Sequence, residues 1–242
     1  MTSPLNDWID ERRRAGGRPS GAEAAPAATV VVVRDGESGL EVLLARRSSQ
    51  LAFHGGAWVF PGGRIDPEDY ADDPADLVAA ARRAAAREAK EEAGVDVDPA
   101  ALVHLSNWTT PEISPKRFAT WFFVGPVEGG NEIADGAETE AIQWFSPHEA
   151  LEARARGEIE LAPPQYVTLL ELLRHSSVRD ALAHVAASEP VDFTPRFHFL
   201  DDGGAICVYA EDVAYADLGQ LDAPGPRHRL VMHKTGWEYV RE

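Results

Sequence analysis

Cysteine is nearly absent from this chain of 242 residues, because Cys207 is the single one. An internal disulfide and a cysteine-rich zinc site are therefore excluded. Long hydrophobic runs are absent as well: Thr29 to Val33 is far too short to cross a bilayer. The arginines at 12–14 have no apolar stretch beside them, which is not the pattern of a signal peptide. These shortages predict a protein of a reducing cytoplasm.

Positive charge is also scarce. The chain has 23 Lys and Arg against 40 Asp and Glu, which gives a net charge of −17. A surface of this sign cannot displace counterions along a nucleic-acid backbone, and an anionic membrane would repel it. Neither a nucleic acid nor a membrane is expected as a partner. An acidic protein that acts on a polyanion has to neutralise its site locally, with metal ions and a few arginines.

The hydrophobic fraction of 44% is ordinary for a globular protein and supports a proper core. A long helix is predicted from an N-cap at Asp73, with Pro74 at its first position, to a stop at Gly94. Its many alanines would let it lie close to a sheet. The other predicted elements are a short helix at Trp8–Arg14, strands at Val30–Val33, Leu40–Ala45, Ala57–Phe60, Val103–Asn107, Phe118–Val124 and Ile142–Phe145, and helices at Pro147–Ala155, Pro164–His175 and Val178–Ala187.

Two turns complete this pattern. Pro61, Gly62 and Gly63 are predicted to stop the third strand, and residues 201–204 to form a hairpin turn among strands that follow Pro190. The mixture of strands and helices predicts an α/β or α+β sandwich.

The most informative stretch is Arg87-Glu88-Ala89-Lys90-Glu91-Glu92-Ala93-Gly94-Val95. Glu88, Glu91 and Glu92 are spaced i, i+3 and i+4, so their carboxylates share one helix face. Near a helix C-terminus the dipole disfavours negative charge, and like charges at this spacing repel. Bound Mg²⁺ or Mn²⁺ would relieve both effects, because hard cations prefer oxygen ligands. A solvated acidic face is the alternative interpretation.

The loop upstream reads Trp58-Val59-Phe60-Pro61-Gly62-Gly63-Arg64-Ile65-Asp66. Together the loop and helix resemble the Nudix signature, a glycine loop followed by Arg-Glu-x-x-Glu-Glu-x-Gly. The resemblance implies a Nudix α/β/α sandwich with a mixed sheet in residues 27–150. Residues 1–26 would be a flexible arm, and 151–242 a helical and β extension that shapes the substrate pocket or a homodimer contact.

The resemblance departs from the usual pattern between the loop and the helix. Ten extra residues lie within Asp69 to Ala86, and the early glutamate of the motif is replaced at its counted position by Asp69, with Glu68 adjacent. The acid-rich segment Asp66 to Asp73 is expected to be a surface excursion, and removal of about ten residues from within Asp69 to Leu77 is expected to preserve folding. Ala89 stands where a larger aliphatic residue is usual, which alters packing only.

Site residues follow from the resemblance. It implies that Glu88, Glu91 and Glu92 hold divalent metals and that Arg87 orients a glutamate. A further acid from a distant loop is expected, with Glu138 first and Glu140 second. The catalytic residues would then be Glu91, Glu138 and Arg87. The implied chemistry is attack of water on a diphosphate, with no covalent enzyme intermediate.

A second resemblance, in the segment before the glycine loop, concerns the substrate. Leu43-Leu44-Ala45-Arg46-Arg47-Ser48, followed through Gly56 into the glycine loop, is similar to the element that accompanies the Nudix box in coenzyme A diphosphatases, although Ala52 stands where an arginine is expected. Coenzyme A or an acyl-CoA is the substrate that this implies. The expected substrate-binding residues are Arg46, Arg47, Gly62, Gly63, Lys116 and Arg117.

Two alternatives stay open at this point. Pro111 lies sixteen residues after Val95, near where ADP-ribose hydrolases of the family carry a proline, so an ADP-ribose or NADH diphosphatase is the first. A non-catalytic nucleotide-sensing module on the same scaffold is the second. Such modules typically lose glutamates from the helix, and all three are present here.

Overall fold

The computed structural model describes residues 4–48, 55–70, 75–127, 129–130, 132–134, 136 and 138–242. Two compact units are distinguished by their internal contacts. The larger unit contains Pro26–Asn107 and Thr120–Val191. The smaller unit contains the described part of Met1–Ala25, together with Trp108–Ala119 and Asp192–Glu242. Both units are therefore discontinuous in sequence, whereas the sequence predicts consecutive domains at 27–150 and 151–242, a division that stays a prediction.

The described chain contains both helices and strands, with the strands in runs between the helices. The helices are α1 (Pro4–Arg14), α2 (Leu77–Ala93), α3 (Pro147–Ala155), α4 (Pro163–Leu172) and α5 (Val178–Ala186). The strands are β1 (Ala24–Gly36), β2 (Gly39–Arg47), β3 (Trp58–Val59), β4 (Gly62–Arg64), β5 (Val95–Asp96), β6 (Val103–Thr109), β7 (Arg117–Pro126), β8 (Gly129–Gly130), β9 (Thr139–Phe145), β10 (Val191–Phe193), β11 (Arg196–Phe199), β12 (Ala205–Val208), β13 (His228–His233) and β14 (Gly236–Arg241). The mixed α/β class predicted from the sequence is confirmed.

The sheet of the larger unit is built around β1. Its strands follow the order β6-β7-β1-β2-β3, while β4 pairs with β1 and β9 pairs with β2. Residues 27–33 of β1 are all buried, on both faces of the strand. Ala28, Val30 and Val32 share a core cluster with the alanines of α2. Because alanine side chains are short, the helix lies close to the sheet as predicted.

Helix α2 is defined by its caps. Asp76 is the N-cap, and its carboxylate accepts a hydrogen bond from the Ala79 amide at 2.9 Å. Gly94 ends the helix in the left-handed conformation, with φ at 68°, and its amide donates to the Lys90 carbonyl. The predicted stop at Gly94 is confirmed, but the helix begins at Leu77, so the predicted N-cap was placed too early. Asp73 and Pro74 themselves lie outside the described residues.

Two features between β3 and α2 go beyond the sequence expectations. The predicted stop of the third strand is confirmed, because β3 ends at Val59, but the pattern does not predict that Gly62–Arg64 forms β4 and pairs antiparallel with Ala27–Thr29. The segment after Asp66 is exposed at residues 66–68, as expected of a surface excursion, whereas Asp69 is only 6% exposed. Both differences arise from contacts with residues distant in sequence, which the local pattern does not contain. Trimming that removes Asp69 would therefore remove a buried residue.

The smaller unit has its own sheet, an antiparallel meander in the order β11-β12-β13-β14. The predicted hairpin turn at 201–204 connects β11 to β12. Residues 4–14, which the sequence assigns to a flexible arm, form α1 in this unit, with Leu5 and Ile9 buried. Across the described residues of both units, no helix is long and apolar enough to cross a membrane.

Candidate active site

Three glutamates occupy one face at the C-terminal end of α2, as their spacing predicts. We call Glu88, Glu91 and Glu92 the carboxylate face. Their environments differ: the side chain of Glu88 is 15% exposed and that of Glu91 is 57% exposed, while Glu92 is buried at 6%. The face therefore grades from a solvated carboxylate to a desolvated one.

Glu92 is held by the glycine loop. Its Oε2 accepts a hydrogen bond from the Gly62 amide at 3.0 Å. Burial raises the pKa of Glu92 to about 7, against the lowering effect of that hydrogen bond. The charges of Glu88 and Glu138 raise this pKa further, whereas Arg47 lowers it. In the absence of a cation, the most buried member of the face is therefore partly protonated at neutral pH.

The glycine loop lies so close to β1 and to the end of α2 that a side chain at either glycine would meet a neighbouring residue. A Cβ on Gly62 would lie 2.1 Å from Thr29 Oγ1 and 2.5 Å from the Ala28 carbonyl oxygen. A Cβ on Gly63 would lie 2.3 Å from Glu88 Oε1. The loop and the end of α2 are therefore in direct contact. In this arrangement Gly62 donates to Glu92, and the substrate-binding role expected of both glycines stays a prediction.

These contacts predict different effects for two neighbouring substitutions. Gly62→Ala forces a clash with backbone and should lower the melting temperature strongly, since overpacking costs about 1–3 kcal/mol or more. Gly63→Ala displaces the flexible end of Glu88 and should mainly weaken metal binding. Gly129→Ala is the matched control, because nothing lies within 4 Å of its added Cβ. Thermal unfolding and metal titration of the three variants would test this, and equal melting temperatures for all would contradict it.

Arg87 connects the carboxylate face to the segment before α2. Its Nη1 donates to Glu88 Oε1 and to Glu91 Oε2, each at 2.9 Å. Its Nη2 donates to Asp69 Oδ2 at 2.9 Å and to the Arg64 carbonyl at 3.0 Å, while Nε reaches Asp69 Oδ1 at 3.2 Å. The hydrogen bond to Asp69, with the charges of Glu88 and Asp69, raises the pKa of Arg87 above its usual value. Arg87 thus contacts two glutamates of the carboxylate face, and the orienting role that the resemblance implies stays a prediction.

Asp69 is the acid at the counted position of the early glutamate. Both of its oxygens are engaged, Oδ1 and Oδ2 by Arg87 and Oδ2 also by the Asp66 amide at 2.9 Å. A carboxylate used in this way secures the guanidinium and is not presented as a metal ligand. Asp69 is one methylene shorter than the usual glutamate, and it holds Arg87 in place. Its position in the sequence alone does not predict this structural role.

The carboxylate face fits a divalent cation. Glu88 and Glu91 each give one oxygen to Arg87, and Glu92 gives one to Gly62. The second oxygen of each glutamate has no hydrogen bond from the residues that the structure describes. Burial also raises the pKa of Glu88, so a nearby positive charge would favour the ionised form of the face. Hard oxygen donors of this kind are the ligands that Mg²⁺ and Mn²⁺ prefer.

The predicted residues of β2 and β9 come together because these strands pair, with Arg46 opposite Ala141 and Arg47 opposite Thr139. Arg47 Nε is buried without a hydrogen-bond partner among the described residues, and its charge acts on Glu92. Glu138 is exposed and also acts on Glu92. Arg46 Nε lies 4.0 Å from Glu140 Oε2. The charges of Glu138 and Arg47 therefore both act on Glu92, the buried member of the carboxylate face.

Lys116 and Arg117 lie in the smaller unit. Arg117 Nε donates to the Thr110 carbonyl at 3.1 Å, and its Nη1 donates to the Ala22 carbonyl at 2.9 Å. The guanidinium therefore secures a loop, whereas Lys116 is exposed. The substrate-binding role expected of both stays a prediction. Ala52, where the resemblance calls for an arginine, lies outside the described residues.

Comparison with known proteins decides the family. The NUDIX domain matches residues 24–164, which is more than half of the chain. The chain belongs to the NUDIX domain family. The matched range contains the glycine loop, α2 and the carboxylate face of this Nudix protein, and it ends within α4.

A solved NUDIX hydrolase from Alicyclobacillus acidocaldarius is similar in fold, with a TM-score of 0.61 and 25% sequence identity. That similarity covers 70% of this chain and all of the other.

Curated relatives are similar over shorter stretches. A putative 8-oxo-dGTP diphosphatase of Bacillus subtilis is 32% identical over 90 residues, 37% of this chain and 50% of the relative. The acyl-coenzyme A diphosphatase NUDT19 of Gallus gallus is 37% identical over 86 residues, 33% of this chain and 23% of the relative. The peroxisomal coenzyme A diphosphatase ndx-8 of Caenorhabditis elegans is 45% identical over 69 residues, 28% of this chain and 26% of the relative. The matches thus span half or less of the length of these relatives.

Proposed function

We propose that this Nudix protein is a metal-dependent hydrolase that cuts the diphosphate bond of a nucleoside diphosphate linked to another group. The observation that carries the proposal is the carboxylate face, on which Glu88, Glu91 and Glu92 each offer one oxygen that no described residue engages. A binding module would have no need of three mutually repelling carboxylates, one of which is buried. Turnover of any diphosphate substrate with Mg²⁺ or Mn²⁺ tests this, and tight binding without turnover would favour the sensing module.

The reaction is the addition of one water across a phosphoanhydride. Water attacks one phosphorus, the bond from that phosphorus to the bridging oxygen breaks, and two phosphate monoesters leave. Glu88, Glu91 and Glu92 would hold the metal, which when bound would neutralise phosphate oxygens and lower the pKa of a bound water. Glu138 is exposed, and its charge raises the pKa of Glu92. It is our choice to accept the proton of the attacking water. Arg87 keeps Glu88 and Glu91 in place.

For the substrate we propose coenzyme A or an acyl-CoA. The support is the resemblance of Leu43 to Gly63 to coenzyme A diphosphatases, together with relatives that carry that name. Arg46 and Arg47 are the proposed phosphate contacts, because a guanidinium fork suits phosphate oxygens. The cytoplasmic setting and the homodimer stay predictions.

The substrate is tested by side-by-side kinetics. We expect kcat/KM for coenzyme A to exceed the values for dephospho-coenzyme A, ADP-ribose, NADH and 8-oxo-dGTP, because arginine or lysine groups that bind the 3′-phosphate are left unpaired without it. Lys116→Ala should narrow the gap between coenzyme A and its dephospho form. Lys116 is preferred to Arg117 for this test, because Arg117→Ala would also release the Thr110 and Ala22 carbonyls. A higher value for any of the other substrates would overturn the choice of coenzyme A and leave the hydrolase proposal standing.

A further inference from the structure

Three side chains of types that commonly bind metals lie close together at the connection between α4 and α5. They are Glu171 on α4, His175 in the connection and His184 on α5, and we call them the α4–α5 cluster. One ligand atom from each lies within 4.8 Å of the other two. All three residues follow residue 164, where the match to the NUDIX domain ends. The cluster is therefore separate from the motif that forms the carboxylate face.

His175 is the member that points to a ligand. Its side chain is 7% exposed, yet its Nε2 is buried with no hydrogen-bond partner among the described residues. A buried polar atom without a partner is uncommon, because it loses water and gains nothing in return. An ion bound at Nε2 would supply the missing partner.

Asp180 prepares His175 for this role. The Asp180 Oδ2 atom lies 3.1 Å from His175 Nδ1. Because a carboxylate oxygen accepts hydrogen bonds, Nδ1 carries the hydrogen and donates the bond. The lone pair of the neutral ring is then at Nε2, the atom without a partner. A carboxylate behind a histidine in this way fixes the ring and makes it a better metal ligand.

Glu171 and His184 supply the other two donors. Glu171 Oε1 lies 3.2 Å from His184 Nε2, and its Oε2 lies 3.3 Å from Arg174 Nη1. Metal bonds of about 2.0–2.1 Å at tetrahedral angles place neighbouring ligand atoms about 3.4 Å apart. The observed separation of Glu171 and His184 already matches this spacing. Since the His184 side chain is 46% exposed, its ring has room to adjust its position around an ion.

We propose that the α4–α5 cluster is a second metal site, with Glu171, His175 and His184 as ligands for Zn²⁺. Two imidazoles and one carboxylate suit a borderline ion such as Zn²⁺ better than Mg²⁺, which prefers oxygen alone. Three protein ligands leave the fourth position to water. Because the ligands come from both helices and their connection, the ion would clamp α5 onto α4. Without an ion, Glu171 and His184 would form an exposed ion pair that depends on protonation of the histidine.

The test uses the full chain, stripped of metal by a chelator and then held in excess Mg²⁺ so that the carboxylate face is occupied. Zn²⁺ titration by calorimetry should give one site per chain and raise the melting temperature by several degrees. Co²⁺ bound in its place should give the strong visible absorption of a tetrahedral nitrogen-containing site. Activity is not a readout, so the outcome does not depend on the proposed hydrolase function.

Variants separate this site from other histidines and carboxylates. His184→Ala and Glu171→Gln should lose the Zn²⁺ site, and Asp180→Asn should weaken it by about 10–100-fold. His148→Ala, which removes an exposed histidine of α3, and Glu91→Gln, on the carboxylate face, should bind Zn²⁺ as the wild type does. Absence of a Zn²⁺ site in excess Mg²⁺, or unchanged binding in His184→Ala, would overturn the proposal. His184 and Glu171 are part-exposed, so their variants should fold.

Discussion

Glu92→Gln is expected to remove nearly all turnover while making the metal-free protein more stable above neutral pH. The amide oxygen of glutamine can still accept the hydrogen bond from Gly62, so the fold should survive. Loss of one anionic ligand from the carboxylate face should lower kcat on the order of 10²–10³-fold, the scale for losing one preorganised charged group. Measurement at saturating Mg²⁺ with the best substrate gives this value.

The gain in stability follows from the pKa of Glu92. Burial raises this pKa from 4.5 to about 7 in the folded protein. Between these values the folded protein holds a proton that the unfolded chain has lost, so the free energy of unfolding falls as pH rises. The loss should reach about 3 kcal/mol above pH 7 for the wild type without metal. Glutamine does not titrate, so the variant should lack this loss.

Glu91→Gln is the matched comparison. It removes a carboxylate from the same face, but the Glu91 side chain is 57% exposed, so no comparable penalty is relieved. It should lose turnover and keep the wild-type dependence of stability on pH. Urea unfolding in EDTA at about pH 5 and about pH 8 measures the difference. At the higher pH, addition of Mg²⁺ should restore the stability that the wild-type protein loses without metal. Near-wild-type turnover in both variants would refute the assignment of the carboxylate face.

The sequence predicts those parts of the site that depend on local geometry. The period of the helix places Glu88, Glu91 and Glu92 on one face, and Gly94 ends the helix because glycine accepts a left-handed conformation. The helix Pro147–Ala155 is predicted to the residue, since Ser146 and Glu149 form a capping box at its start. In each case the signal lies within a few residues of the feature.

Contacts between distant segments are what the sequence does not predict. The pairing of β4 with β1 brings Gly62 to Thr29, and nothing near the glycines indicates that partner. The α4–α5 cluster was not predicted either, although Glu-x₃-His-x₈-His is visible in the sequence. The spacing acquires meaning only when α5 folds back against α4, so that His184 reaches Glu171.

The burial of Asp69 also depends on contacts between distant segments, because its partner is Arg87. Replacement of Arg87 should therefore destabilise the protein. Arg87→Met removes the bidentate partner of a carboxylate that is 6% exposed, so a buried charge is left uncompensated. Breaking a buried pair in this way costs about 3–5 kcal/mol of stability. Turnover should also fall, because Glu88 and Glu91 lose the guanidinium that orients them. Arg87→Lys should recover only part of either loss, since an ammonium cannot reproduce the planar fork.

A double-mutant cycle with Asp69→Asn isolates the pair. If Arg87 and Asp69 stabilise the fold chiefly through each other, Arg87→Met combined with Asp69→Asn should cost less than the sum of the single changes. Lys90→Met with Asp96→Asn is the control, because this ion pair between α2 and β5 is more than half exposed and should contribute at most about 1 kcal/mol. Urea unfolding gives the coupling energies, and kcat/KM with Mg²⁺ follows the orientation of the glutamates. Strictly additive costs in the free energy of unfolding would mean that Arg87 and Asp69 do not stabilise the fold through each other.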